Sequence, residues 1–140
     1  MKKILSIIAV AILFAAACHK EPAKSKTPAI VGEWQLTSIE VKSVDYSGQT
    51  VNVYLSFAED GSFALYQMIG KGRFYKYSGT WAISGNILSG KYASGKDWAS
   101  TYSFSVGGEI LTLVSEISGE TDIYQKVGIP ESVKEDAYEK

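Results

Sequence analysis

The chain predicts an all-β fold: one eight-stranded antiparallel up-and-down barrel followed by a short C-terminal helical segment. Three observations predict it. From Ile30 onward, short apolar stretches alternate with polar residues at a period of two. Breaks rich in Gly, Asn, Asp and Ser recur between those stretches, and all but one are short enough to be hairpins. Consecutive hairpins make a meander, and closing it on itself hides both unpaired edges, whereas a Greek-key sandwich needs long crossing connections.

Gly32 to Val41 opens the series. Val51 to Phe57 is the clearest strand, with Val51, Val53, Leu55 and Phe57 on one face and Asn52, Tyr54 and Ser56 on the other. Glu59-Asp60-Gly61-Ser62 supplies an Asp-Gly turn, and Phe63 to Ile69 returns as its partner. After Gly70-Lys71-Gly72, the stretch Arg73 to Ile83 sets Tyr75, Tyr77, Gly79, Trp81 and Ile83 against Lys76, Ser78, Thr80 and Ala82. Gly79 in mid-strand suggests a bend or bulge of the kind a barrel wall uses.

Ser84-Gly85-Asn86 leads into Ile87 to Ala93, and a loop around Ser94-Gly95-Lys96-Asp97 leads into Trp98 to Val106. That last stretch alternates Trp98, Ser100, Tyr102, Phe104 and Val106 against smaller residues. Gly107-Gly108 joins it to Glu109 to Glu116, and Ser118-Gly119 joins that to Thr121 to Val127. The one long connection, Lys42 to Gln49, is polar and reads as a lid over one mouth. Behind the barrel, Ile129-Pro130-Glu131 looks like a helix start, with proline and acid in the first turn. Residues 129–140 form a C-terminal tail or short helix.

The N-terminus has a different chemistry. Lys2-Lys3, an apolar run from Ile4 to Ala17 and small residues before Cys18 are the three regions of an export signal. An apolar helix of that length reaches about 21 Å, short of the roughly 30 Å hydrocarbon core of a bilayer. Ala15-Ala16-Ala17-Cys18 resembles the lipobox cut before a lipid-modified cysteine. Ala15 and Ala17 also satisfy the A-x-A rule of ordinary signal peptidase, which would leave Cys18 a free thiol. The sole cysteine of the chain stands where the apolar run ends, so the first alternative is the expectation: residues 1–17 are removed and Cys18 is acylated. Residues 18–29, rich in Lys, Glu and Pro, then form a solvated tether, and residues 30–128 form the barrel.

Composition excludes several functions. Removing 17 of the 140 residues leaves 123, the size of one domain. Lys2 and Lys3 depart with the signal, so 14 basic residues become 12 against 15 acidic ones. With Arg73 the only arginine, nucleic acid is not an expected partner. The single histidine, His19, lies in the tether, so the barrel has no material for a Ser-His-Asp triad or a multi-histidine metal site. Glu59, Asp60, Asp97, Glu109 and Glu120 fall at turns, where solvated caps are commoner than catalysts. No catalytic residue, metal or cofactor is expected.

Aromatics are the positive feature. The chain holds three Trp, nine Tyr and five Phe, of which only Phe14 lies in the export segment. An eight-stranded barrel is just wide enough either to be packed with such side chains or to enclose one small ligand. Tyrosine favours a pocket, because a buried hydroxyl without a partner is costly. Tyr75, Tyr77 and Trp81 on one strand and Trp98, Tyr102 and Phe104 on another are the expected lining.

Gly32-Glu33-Trp34, the Asp60-Gly61 hairpin, Gly79-Thr80-Trp81 and Tyr124-Gln125-Lys126 together resemble the short lipocalin-like lipoproteins of Bacteroidetes-type bacteria, over roughly residues 31–128. The resemblance implies that Trp34 plugs one end of the barrel, with Lys126 from the last strand lying over it. It also implies a membrane-anchored protein of the cell envelope, in the outer membrane of a Gram-negative bacterium, binding a small hydrophobic or amphipathic ligand. The alternative is a non-enzymatic interaction module, an inhibitor or accessory subunit, meeting an envelope protein through the tether and the loop Lys42 to Gln49.

Overall fold

The computed structural model describes residues 27–40 and 50–140. The export segment, Cys18, most of the tether and the whole of the expected lid lie outside the described residues. Eight strands run in order: β1 (Gly32–Glu40), β2 (Val51–Phe57), β3 (Ser62–Ile69), β4 (Tyr75–Ser84), β5 (Ile87–Tyr92), β6 (Tyr102–Gly107), β7 (Ile110–Ser115) and β8 (Thr121–Lys126). Each pairs antiparallel with its sequence neighbours, and β1 pairs with β8, so the sheet closes. A short helix α1 (Glu131–Asp136) and a two-residue strand β9 (Tyr138–Glu139) follow.

Register carries the alternation of side chains around the wall. Trp34 faces Leu55, Leu55 faces Leu65, and Leu65 faces Tyr77, so these four point to one side of the ribbon. The interior that results is apolar: Trp34, Val53, Leu55, Phe57, Phe63, Leu88, Leu111, Leu113 and Tyr124 are buried there with Ile30. A bulge on β1 between Leu36 and Ser38 shifts its register against β8, and the Thr37 hydroxyl donates to the Ile123 carbonyl at 3.0 Å. Such an extra residue sharpens the local twist of the wall.

Three details differ from the sequence expectation. No register shift occurs at Gly79, whose neighbours pair continuously on both sides. The glycine is needed because a Cβ there would stand 1.9 Å from the Lys91 carbonyl oxygen. Regular β6 starts at Tyr102 rather than Trp98. Lys91 faces Asp97 and Leu88 faces Tyr102, so four residues of β5 stand against six of the returning chain, and Ala99 to Thr101 bow out of the ladder. The bow is held by a 2.9 Å hydroxyl contact between Ser100 and Ser115, both buried.

The third difference is β9, which pairs parallel with β4 through Tyr75 and Lys76, above the point where β5 ends. It satisfies the exposed edge there, with the Tyr138 and Lys140 amides donating to the Phe74 and Lys76 carbonyls at 2.9 Å. The preceding helix lies on the outside of the barrel, where Ile129 and Val133 cover Tyr66 in a second, smaller apolar cluster. Glu33 of β1 fixes its start by accepting from the Ile129 amide at 3.1 Å and pairing with Lys134 at 2.9 Å.

Candidate functional site

Strand direction gives the barrel two unlike ends. At one end lie the β2–β3, β4–β5 and β6–β7 turns and Trp34. The Trp34 indole is fully buried, and its Nε1 donates to the Ile30 carbonyl at 2.9 Å. The Lys126 ammonium stands 5.5 Å from the Trp34 ring centroid, within cation–π range. Gly32 makes room for that lysine, since a Cβ there would meet its Cε at 3.1 Å. Trp81 closes the same end, edge-on to Phe57 at 5.6 Å and donating from Nε1 to the Ala58 carbonyl at 3.0 Å.

Toward the other end the interior is not filled. A cavity of about 310 Å³ lies among side chains of β1, β2, β3, β5, β6, β7 and β8. Its apolar wall runs from Phe57 and Phe63 through Leu55, Leu65, Leu88 and Leu113 to Val51 and Ile69 near the mouth. This volume falls at the low end of the roughly 300–1,000 Å³ of small-molecule sites. β1 ends and β2 begins at this mouth, where Glu40 pairs with Thr121 and Val51 with Ile69.

Of the expected lining residues, the structure brings Trp98 and Tyr102 to the cavity wall. Trp98 comes from the bowed segment and turns inward over Gly90, edge-on to Phe63 at 4.8 Å and to Tyr102 at 6.4 Å. Its Nε1 is buried without a hydrogen-bond partner among the described residues. The other four stand elsewhere. Tyr75 sits at the rim, stacked on Tyr138 at 5.9 Å. Tyr77 meets the back of Tyr92 edge-on at 6.2 Å. Trp81 is at the closed end, and Phe104 packs into the interior cluster. Their faces follow from the strand period, but their places along a tapering barrel depend on neighbours from distant segments.

Polar groups interrupt the apolar wall, and sequence reasoning overlooked Asp122 among them. Glu120, Asp122, Tyr102, Tyr124 and Gln67 all line the cavity. Asp122 faces Leu113 across the β7–β8 ladder and shares its inward side with Tyr124. Burial, and then the neighbouring Glu120, push the Asp122 carboxyl above the usual range. Burial also raises the Tyr102 phenol, with Asp122 adding to it, and raises Tyr124 far beyond its ordinary value for the same reasons. The signal was present in Thr121 to Lys126, whose alternation puts an acid at a position on the same face as the buried Tyr124.

Among the described residues, no group of three or more His, Cys, Asp or Glu could hold a metal ion. Among the described residues, the cavity wall includes no Ser, Cys or His to act with Asp122 or Glu120 as nucleophile and base. What the arrangement can do is enclose an apolar body and meet a polar head at the mouth.

A family described as a lipocalin-like domain matches residues 30–113. No curated protein matches the chain. Among solved structures, an uncharacterized protein from Bacteroides eggerthii DSM 20697 aligns with a TM-score of 0.50 at 18% identity, over 69% of this chain and 98% of its own. That likeness is one of fold. A REP1-NXSQ fatty acid transporter aligns with a TM-score of 0.42 at 16% identity, over 71% of this chain and 97% of its own. A variant of the fluorescent protein UnaG gives 0.38 at 12%, over 70% and 96%.

Proposed function

The chain belongs to the lipocalin-like domain family, and from that premise we propose that it is a membrane-anchored binder of one small hydrophobic or amphipathic molecule. The observation that carries this reading is the apolar cavity of about 310 Å³ left open among the barrel strands. A packed interior would hold no ligand, whereas this one leaves aliphatic and aromatic surface facing empty space, which an apolar guest would remove from water. Trp98 and Tyr102 are the contacts we assign in the wall. Tyr75, Tyr77, Trp81 and Phe104 are not part of that wall.

In the same reading Cys18 is acylated after loss of residues 1–17, and the tether holds the barrel at the outer membrane of the cell envelope. One acyl chain gives only marginal anchoring, so stable attachment needs the several chains of a bacterial lipoprotein. Labelled palmitate is expected to enter the protein and to be lost in Cys18→Ala. Native mass spectrometry of the full chain taken from its own membrane is expected to show a retained small molecule. A single mass equal to the acylated protein, with no apolar probe taken up, rules the binding role out.

A second reading, a protein-interaction module, draws on the rim. Ile69, Tyr75 and Tyr138 are large apolar residues left 49%, 42% and 51% exposed near the mouth. Crosslinking from Tyr46, between β1 and β2 in sequence, is the measurement that would bring a partner protein forward.

A further inference from the structure

We propose that Asp122, with Glu120 beside it and the Tyr102 and Tyr124 side chains lining the same space, is a head-group site that selects an amphipathic cation. The ligand class is an apolar chain ending in a protonated amine, preferred over the matching carboxylate or alcohol. This rests on the reading of the barrel as a ligand site.

Four observations carry it. The cavity changes character along its length, from Phe57, Phe63 and Leu88 at depth to Glu120 and Asp122 at the mouth, so a guest with two unlike ends is matched in one orientation. Among the described residues, the wall contains two carboxylates and neither lysine nor arginine. Every ion pair among the described residues involves other acids, namely Glu139, Asp97, Glu33 and Glu131. Finally, Tyr124 is only 5% exposed and lines the cavity, yet its hydroxyl makes no hydrogen bond among the described residues.

The physical argument is one of missing counter-charge. A carboxylate drawn into an apolar wall loses hydration, and a structure normally compensates with a cation and hydrogen bonds. Here burial and Glu120 both hold the Asp122 carboxyl above its ordinary range, so an added positive charge at that spot is favoured. An ammonium offers three donors to two carboxylates and the phenol oxygens. A ligand carboxylate in the same place would face like charge from both acids. An alcohol would gain a neutral hydrogen bond, which is weaker than a charge-assisted one.

The test is calorimetric titration of the full chain in lipid nanodiscs with octylammonium, octan-1-ol and octanoate, empty nanodiscs serving as the blank. Octylammonium is expected to bind about tenfold tighter than octan-1-ol, with octanoate weakest. Asp122→Asn is expected to abolish that preference, and Glu120→Gln to reduce it. Near-ultraviolet circular dichroism matching that of the parent shows that the variants are folded. Octanoate binding as well as octylammonium, or an undiminished preference in Asp122→Asn, overturns the head-group assignment alone. Absence of binding by all three overturns the barrel as a ligand site, and this inference with it.

Discussion

The Trp98 indole occupies the space where Gly90 has no side chain: a Cβ on Gly90 would come within 2.3 Å of its Cε2 and 2.4 Å of its Cζ2. The Trp98 amide also donates to the Gly90 carbonyl at 3.0 Å, so backbone and ring are fixed by the same residue. Gly90→Ala forces the ring off the wall. Overpacking of this kind costs about 1–3 kcal/mol. Urea unfolding is expected to show the loss, together with a shift in tryptophan emission. An unchanged midpoint and spectrum would mean that the ring does not sit there.

At the closed end, Trp34 and Lys126 make a separable pair. Lys126→Ala removes a cation–π contact worth about 0.5–1 kcal/mol at an exposed position. Lys126→Arg is expected to keep or raise stability, because guanidinium stacks better on an indole. Trp34→Phe should cost more, since it strips the Ile30 carbonyl of its 2.9 Å donor in a buried setting. Thermal melts of the three variants rank them. A Lys126→Ala loss larger than that of Trp34→Phe contradicts the arrangement.

The raised Asp122 carboxyl makes a signed prediction about pH. In the folded state Asp122 holds its proton to a higher pH than the unfolded value of about 3.9. Between those two values the native state binds more protons, so stability falls as pH rises through this window and the loss is complete above the folded value. Asp122→Asn is therefore expected to stabilise the protein at neutral pH and to flatten that part of the profile. Denaturant midpoints from pH 3.5 to 8 read this directly. A variant less stable than the parent at pH 7 would mean that Asp122 has a favourable partner.

Val133 is the residue through which α1 holds to the outside of the barrel, beside Ile129 and Tyr66. Val133→Ala removes buried methyl groups and is expected to cost about 2 kcal/mol. Because β9 follows directly, hydrogen exchange at the Tyr138 and Lys140 amides is expected to accelerate more than exchange in β2 or β7. Uniform acceleration over the whole chain would show that the C-terminal segment has no independent attachment.

Much of the fold is local and was legible for that reason. A strand's side chains alternate because of backbone geometry alone, so Val51 to Phe57 declares its inward face without reference to any other segment. An Asp-Gly pair makes the β2–β3 turn in any context, and the Asp60 carboxylate accepts from the Ser62 amide and hydroxyl within it. A run of short turns leaves few topologies other than a closed meander. Those facts determined strand number, neighbours and class.

Position along the barrel axis was decided only by the tertiary structure. Tyr75, Tyr77, Trp81 and Phe104 have the inward period that Tyr102 has, yet Trp98 and Tyr102 line the cavity and those four do not. Stagger between strands, the bow at Ala99 to Thr101 and the arrival of Tyr138 from the far end of the chain set those depths. Asp122 gains its meaning in the same way. Along the sequence it is one acid in a polar strand, and only closure of β8 against β7 and β1 places it in an apolar wall with Glu120 and Tyr124. Periodicity is a property of each strand by itself, whereas a cavity exists only where residues remote in sequence fail to fill the space between them.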